Sequence, residues 1–353
     1  MSFFESDRLS PADAIARAQH IAFAPMVFQA SRALRTLGIL AMLHKNRDST
    51  MDAIVEKTKL SNYGVRVLLE AGLGIGLLTC KDGKYNLTKT GWFILNDKMT
   101  VANMDFSHDV CYAGLESLEE AIVTGKPAGL TTFGDWSTIY QGLAYLPESA
   151  TNSWYAFDHY YSDDAYPLVL PMLARHNLKS ILDIGGNTGR FTLQCLRYFP
   201  DIRVGIVDLP NMAKSTSETM EKLGFGDRVA IHPANMLDAQ NDLPTGYDAI
   251  WMSQFLDCFS ENEIVAILGK VRAVMTNDST VFIMEPFWDK QLREVSAFSL
   301  QMTSLYFTAL ANGNSQMYGA ELFLKLVEQA GLTIVEQTDN IGLCQSLLVC
   351  KKA

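Results

Sequence analysis

The residues best suited to chemistry are the acids and glycines of Ile181-Leu-Asp-Ile-Gly-Gly-Asn-Thr-Gly-Arg190 and the acid Asp208 beyond them. An apolar run ending in an acid and a glycine-rich turn is where an α/β sheet commonly grips a nucleoside-bearing ligand. Gly185, Gly186 and Gly189 fall on that turn, where glycine accepts positive φ and lets a ligand reach the bare N–H groups at the start of the next helix. Asp208 follows at about the twenty-residue distance from which an acid can accept both ribose hydroxyls. That acid would suit NAD, but a dinucleotide fingerprint needs glycine at the position of Ile184, and Asp183 would crowd a pyrophosphate. Asp183 can instead help to hold a cationic amino-acid moiety, directly or through water. S-adenosylmethionine carries an ammonium and a sulfonium, so the acid-rich crevice favours it over NAD.

The elements that must position these residues alternate between strand and helix, the pattern of a doubly wound parallel sheet. Strands are expected at Ser180–Ile184, Arg203–Val207, Val229–Pro233, Ala249–Met252 and Thr280–Met284, with a terminal pair at Thr333–Glu336 and Ser346–Cys350. Ligands bind such sheets beyond the strand carboxyl ends, so Asp183, Asp208, the segment after Met252 and Glu285 should converge on one crevice. Ser260 and Glu263 form a capping box that opens a helix over Glu261–Val274.

Upstream, the chain from about Pro11 to Leu43 reads as helical, with more apolar surface than one solvent-facing helix needs. Ser49-Thr-Met-Asp52 has the form of a capping box, Ser61 starts a further helix, and Asp82-Gly83 turns a hairpin between Leu77–Lys81 and Lys84–Leu87. This is the rhythm of a winged helix. Its would-be recognition helix, Ser61 to Gly76, offers Arg66 as its strong cation and carries Glu70, with Lys81, Lys84 and Lys89 on the wing. Such a surface is too poor in charge for several phosphate contacts, so DNA binding is disfavoured. Between Asp105 and Tyr166 the chain is rich in aromatics, some of which can line a pocket for a flat substrate. A helix is expected from near Asp163 to His176, leading into the second domain.

The formal net charge of -10 also argues against nucleic acid as a partner and for small-molecule chemistry. The six cysteines form no C-x-x-C pair, so neither a zinc site nor a disulfide framework is indicated. The amino-terminal stretch from Met1 lacks a secretory pattern, and no apolar run is long enough to span a bilayer. A cytoplasmic protein without membrane association is the expectation.

The chain resembles the S-adenosylmethionine-dependent small-molecule O-methyltransferases with an N-terminal winged-helix dimerisation domain. The resemblance is carried by Ala33-Leu-Arg-Thr-Leu-Gly-Ile39, Tyr85-Asn-Leu-Thr88, Leu182-Asp-Ile-Gly-Gly-Asn-Thr-Gly189, Val207-Asp-Leu-Pro210 and Asp248-Ala-Ile-Trp-Met252. It implies a helical dimerisation and substrate-lid domain over residues 1–165, and a Rossmann-like class I methyltransferase domain over 166–353 with an antiparallel last strand. It further implies a metal-independent homodimer joined through its N-terminal helices, acting on a small, aromatic, hydroxylated acceptor. Carried over by position, Gly185, Gly186 and Gly189 cradle the methionine portion and Asp208 binds ribose. Asn235 and Met236 flank the adenine, and Ser253 stands where many relatives have lysine.

One departure bears on the chemistry. Where the family usually reads Leu-His-Asp-Trp-Ser, this chain reads Leu256-Asp-Cys-Phe-Ser260, so Asp257 takes the place of the histidine base. A carboxylate with a reference pKa of about 3.9 is a weak base toward a phenol near 10 unless burial raises it. Glu285 can assist, and Glu321 lies near a family acid that buttresses the base. Trp154, His159, Met302 and Tyr306 are the substrate-wall candidates. Besides O-methylation, two alternatives stand: a cofactor-binding protein with non-standard or no methyl transfer, and a winged-helix regulator that senses the cofactor.

Overall fold

The computed structural model describes residues 3–353, so Met1 and Ser2 of the amino-terminal stretch lie outside it. The chain divides into two compact units, one through His108 and one from Asp109. Residues 109–165, grouped with the N-terminal domain in the sequence reading, thus fall by packing with the sheet unit.

In the first unit the single helical stretch expected from Pro11 to Leu43 is three helices, Pro11–Ala22, Ala24–Thr36 and Ile39–Lys45. Gly38 at φ +81° makes the second break, a left-handed conformation that costs glycine little. Leu34, Ile39, Leu40, Leu43, Ile54, Val65 and Leu69 pack with Leu77 and Leu78 as the core of this unit. The helix Met51–Thr58 is capped by the Thr50 hydroxyl, not by Ser49, whose hydroxyl donates back to the Asn46 carbonyl. Ser61 caps Asn62–Ile75 as expected, accepting the Gly64 N–H. Strands β1 (Leu78–Lys81) and β2 (Lys84–Leu87) form the hairpin, with Asp82 and Gly83 both at positive φ, as this two-residue turn requires. Ser49 pairs with Tyr85 as an isolated bridge on the edge of β2. The helix Pro11–Ala22 buries no residue, and Ile15 and Ile21 are 65% and 68% exposed.

The second unit is built on strands β3 (Ser180–Ile184), β4 (Arg203–Asp208), β5 (Val229–Pro233), β6 (Ala249–Ser253), β7 (Thr280–Pro286), β8 (Leu332–Ile341) and β9 (Gln345–Lys352). They lie in the order β5-β4-β3-β6-β7-β9-β8, parallel except that β9 runs antiparallel to both neighbours. Side chains alternate between the faces. Leu182, Val281 and Ile283 enter one core with the helices Glu261–Val274 and Ala320–Gln329. Ile181, Trp251 and Phe282 enter the other with Tyr166–Ala174 and Arg190–Tyr198. Coverage of both faces explains why these strands read as nearly continuous apolar runs. The sheet grows in opposite directions from β3 and β6, and outside their carboxyl ends is the crevice such a sheet offers to a ligand. The helix expected from near Asp163 to His176 runs from Tyr166 to Ala174, preceded by the helix Glu148–Asp163, with Asp164 and Ala165 between them.

Candidate active site

The glycine turn leaves β3 with Gly185, Asn187 and Gly189 at φ +76°, +47° and +77°. A Cβ on Gly185 would lie 2.3 Å from the Phe255 ring, so closeness as well as backbone conformation requires glycine there. The Gly185 N–H donates to the Val207 carbonyl at 2.8 Å, which fixes the turn to the end of β4. The carboxylate of Asp208 accepts the Asn187 and Leu209 N–H groups, each at 2.7 Å. Burial raises its pKa, while these two donors pull it back.

Two cavities meet at this turn. The larger, about 430 Å³, is lined at one end by Val207, Asp208, Asn235, Met236 and Leu237, and at the other by Tyr140, Trp154, Cys258, Phe259 and Asn312. The smaller, about 50 Å³, is a polar recess among Asp158, His159, Asp183, Gly186, Thr188, Arg190 and Ser253. Asp183, 2% exposed, accepts the Thr192 hydroxyl at 2.6 Å, and burial pushes its carboxyl up to about 7. The His159 ring stacks on Tyr155 and meets the Thr188 hydroxyl at 3.1 Å. Burial lowers its pKa to about 4, so it is neutral at physiological pH. Gln254 sits at φ +46° where the two cavities join, an unusual backbone state for a side chain larger than asparagine.

The structure therefore gathers Asp183, Gly185, Gly186, Asp208, Asn235, Met236 and Ser253 around one crevice. Gly189 stands behind it as the N-cap of the helix Arg190–Tyr198, where a Cβ would meet Met220 at 2.4 Å. Trp154 lines the larger cavity and donates its indole N–H to the Tyr306 hydroxyl at 2.8 Å; Tyr306 itself lines neither cavity and stands buried behind Trp154. Met302 is 45% exposed and lines neither cavity.

The acids expected to handle a proton are arranged differently from the sequence reading. Asp257 is 3% exposed on the turn Leu256–Cys258 and does not line the larger cavity, whereas its neighbour Cys258 does. The Cys258 thiol donates to Asp257 Oδ1 at 3.4 Å, and burial drives its own pKa well above the ordinary thiol value. Glu285, 1% exposed at the end of β7, accepts the Phe255 and Leu256 N–H groups on Oε1 at 3.0 and 2.8 Å. Its Oε2 is buried without a hydrogen-bond partner among the described residues. Burial raises both carboxyls, and the neighbouring Asp257 raises Glu285 further. Glu321 is not part of this cluster: its side chain is 84% exposed and pairs with Lys325 one helical turn away.

Asp158 was missed by sequence reasoning. It lines both cavities and accepts from Asn187 Nδ2 at 3.1 Å. The available signal was helical spacing, since Trp154, Asp158 and Ser162 share one face of Glu148–Asp163. Tyr140 enters the sequence reading only among the aromatics, yet it lines the larger cavity with its hydroxyl buried near the Cys258 thiol.

These residues fit S-adenosylmethionine. The bare backbone at Gly185 and Gly186 admits close approach, Asp208 offers carboxylate oxygens for ribose, and the recess supplies acids for an ammonium and Arg190 for a carboxylate. A mostly parallel seven-stranded sheet with its last-formed strand antiparallel and this cradle at its switch point defines a class I methyltransferase.

More narrowly, the chain belongs to the S-adenosylmethionine-dependent O-methyltransferases that carry a dimerisation domain: residues 16–85 match the Dimerisation2-like domain and 167–333 the O-methyltransferase domain. An L-tyrosine C(3)-methyltransferase of Streptomyces lavendulae is 24% identical over 88% of this chain and 85% of its own. The mitomycin 7-O-methyltransferase MmcR superposes with a TM-score of 0.76 at 18% identity, covering 97% of this chain and 98% of that one. The O-methyltransferase NcsB1, solved with S-adenosylmethionine and 2-hydroxy-5-methyl naphthoic acid, superposes with a TM-score of 0.71 at 19% identity over 92% of this chain and 96% of its own.

Proposed function

We propose that this methyltransferase modifies the hydroxyl of a small aromatic acceptor. The observation that carries the reading is the larger cavity, with the Asp208 carboxylate at one end and Trp154, Tyr140 and Phe259 at the other. Bound S-adenosylmethionine supplies an electrophilic methyl group. The chain's part is to hold the acceptor in line with it: a flat ring fits the aromatic end, and positioning of this kind supplies on the order of 7 kcal/mol or more at best. Asp183, Gly185, Gly186, Gly189, Asp208, Asn235, Met236 and Ser253 form the cofactor side; Trp154, backed by Tyr306, stands on the acceptor side, whereas His159 lines only the small recess and so belongs with the cofactor. Asp257 occupies the position of the family's histidine base; on this reading it acts through the Cys258 thiol that separates it from the cavity, while Glu285 holds the turn.

The exposed apolar face of the N-terminal helices supports assembly as a homodimer, and the helices and hairpin of the first unit support a winged-helix form used for that purpose. Sedimentation of a monomer at micromolar concentration would remove the homodimer. Among the described residues no helix is long and apolar enough to cross a membrane, and a cytoplasmic location completes the reading.

The test is product analysis with methyl-labelled S-adenosylmethionine across hydroxylated aromatic acids and L-tyrosine. Label on oxygen is expected. Label on ring carbon would favour C-methylation, a second reading motivated by the tyrosine-modifying relative. Cofactor binding without transfer to any of them, joined to salt-sensitive DNA binding, would favour the regulator.

A further inference from the structure

Four residues line both cavities: Asp158, Gly185, Asn187 and Gln254. Asp158 is the one charged group among them. The methyl donor has two dissimilar ends joined at sulfur, an amino-acid tail and an adenosine. The small recess, with Asp183 and Arg190, suits the tail; the larger cavity, with Asp208 and Met236, suits the adenosine. Its sulfur then falls where the cavities join, beside the Asp158 carboxylate that Asn187 Nδ2 holds toward the glycine turn.

We propose that Asp158 reads the charge at sulfur and thereby distinguishes the cationic methyl donor from its neutral demethylated product. This rests on the cofactor reading above and extends it to specificity. The two ligands share the same ammonium, carboxylate, ribose and adenine, so groups that hold those parts contribute equally to both. They differ by the methyl group and one positive charge, and a carboxylate within several ångströms of that charge favours the donor. Methyl transfer removes the charge, and with it the attraction, so the same contact that favours donor binding relaxes when product forms.

The surroundings of Asp158 make this contact proton-linked. Burial first, with Asp257 and Asp163 adding to it, pushes its carboxyl up to about 7 against the pull of the Asn187 amide and Arg190. Tyr155, Tyr166 and Tyr306 face it as neutral hydroxyls whose own pKa values it helps to raise. A sulfonium favours ionised Asp158, so donor binding near neutral pH releases a proton that product binding does not. Donor affinity therefore falls, relative to product affinity, as pH drops through about 7.

The experiment is calorimetric titration of the full chain and of Asp158→Asn with S-adenosylmethionine and S-adenosylhomocysteine, each in two buffers of different ionisation enthalpy. The expected result is that the substitution weakens the donor on the order of tenfold and the product within about twofold, a difference near 1.4 kcal/mol. Retained product binding shows that the variant is folded. Equal weakening of both ligands would assign Asp158 to their shared ammonium and overturn the proposal, as would no change in either. Should the variant fail to fold, the wild-type proton count decides: more protons released by donor than by product supports the proposal, and equal release overturns it. If neither ligand binds the wild-type chain, the cofactor reading itself fails and takes the proposal with it.

Discussion

Oε1 of Glu285 accepts the main-chain N–H of Leu256 at 2.8 Å, joining the end of β7 to the turn that carries Asp257 and Cys258. With Phe255 also donating to Oε1, the acid acts as a buried staple for the segment between the two ends of the larger cavity. Replacing Glu285 by alanine leaves both N–H groups buried and unpaired, at a cost of about 1–3 kcal/mol for each. Urea unfolding should show this loss, whereas a variant as stable as wild type would mean the turn holds itself.

The Asp257 and Glu285 pair gives stability a direction with pH. Both carboxyls are raised above their ordinary values, so the folded state favours the protonated forms. Their contribution is complete below the ordinary carboxylate range near 4 and is lost as pH rises through the raised folded values. Asp257→Asn removes one of the two acids. Its urea midpoint should fall less than that of wild type between about pH 5 and pH 8, and parallel curves would show that the pair does not titrate in this way.

Gly185→Ala tests the cradle. A Cβ there meets the Phe255 ring at 2.3 Å and is held at φ +76°, so the variant should lose about 1–3 kcal/mol of stability. Cofactor binding should weaken with it, because Phe255 must shift into the larger cavity or the turn must move. Calorimetry with S-adenosylhomocysteine reads this, and unchanged affinity would show that the turn is not in contact with the ligand.

Across the aromatic end, the Trp154 indole N–H donates to Tyr306. Tyr306→Phe removes that partner and should cost about 0.5–1.5 kcal/mol. Its kinetic effect should fall on the KM of an acceptor, with S-adenosylhomocysteine affinity unchanged, since Trp154, which Tyr306 holds from behind, lines the end of the cavity away from Asp208.

Much of this arrangement was legible in the chain because it is local. The seven sheet strands lie where their apolar runs place them, Asp82-Gly83 turns the hairpin, and the Ser260–Glu263 capping box opens its helix. Breaks set by a single residue were harder to read: Gly38 interrupts the stretch expected to be helical, and Thr50 rather than Ser49 caps the helix Met51–Thr58, because periodicity locates an apolar face better than its ends. The acids were least legible. Sequence position put Asp257 beside the acceptor, but whether a side chain enters a cavity depends on packing between distant segments, and those segments turn Cys258 inward instead. Glu321 illustrates the same point, since one helical position decides between a buried wall and a solvent ion pair. Asp158 went unread because its neighbours are aromatic and its partner, Asn187, is 29 residues away.

The central claim is that the glycine turn and Asp208 form the binding site of the methyl donor. Titration of wild type and Asp208→Ala with S-adenosylhomocysteine tests it most directly. The account predicts one site per chain, weakened in the variant by on the order of tenfold to a hundredfold, the value of a charged hydrogen-bond acceptor for the ribose. Equal affinity in the two proteins would contradict it.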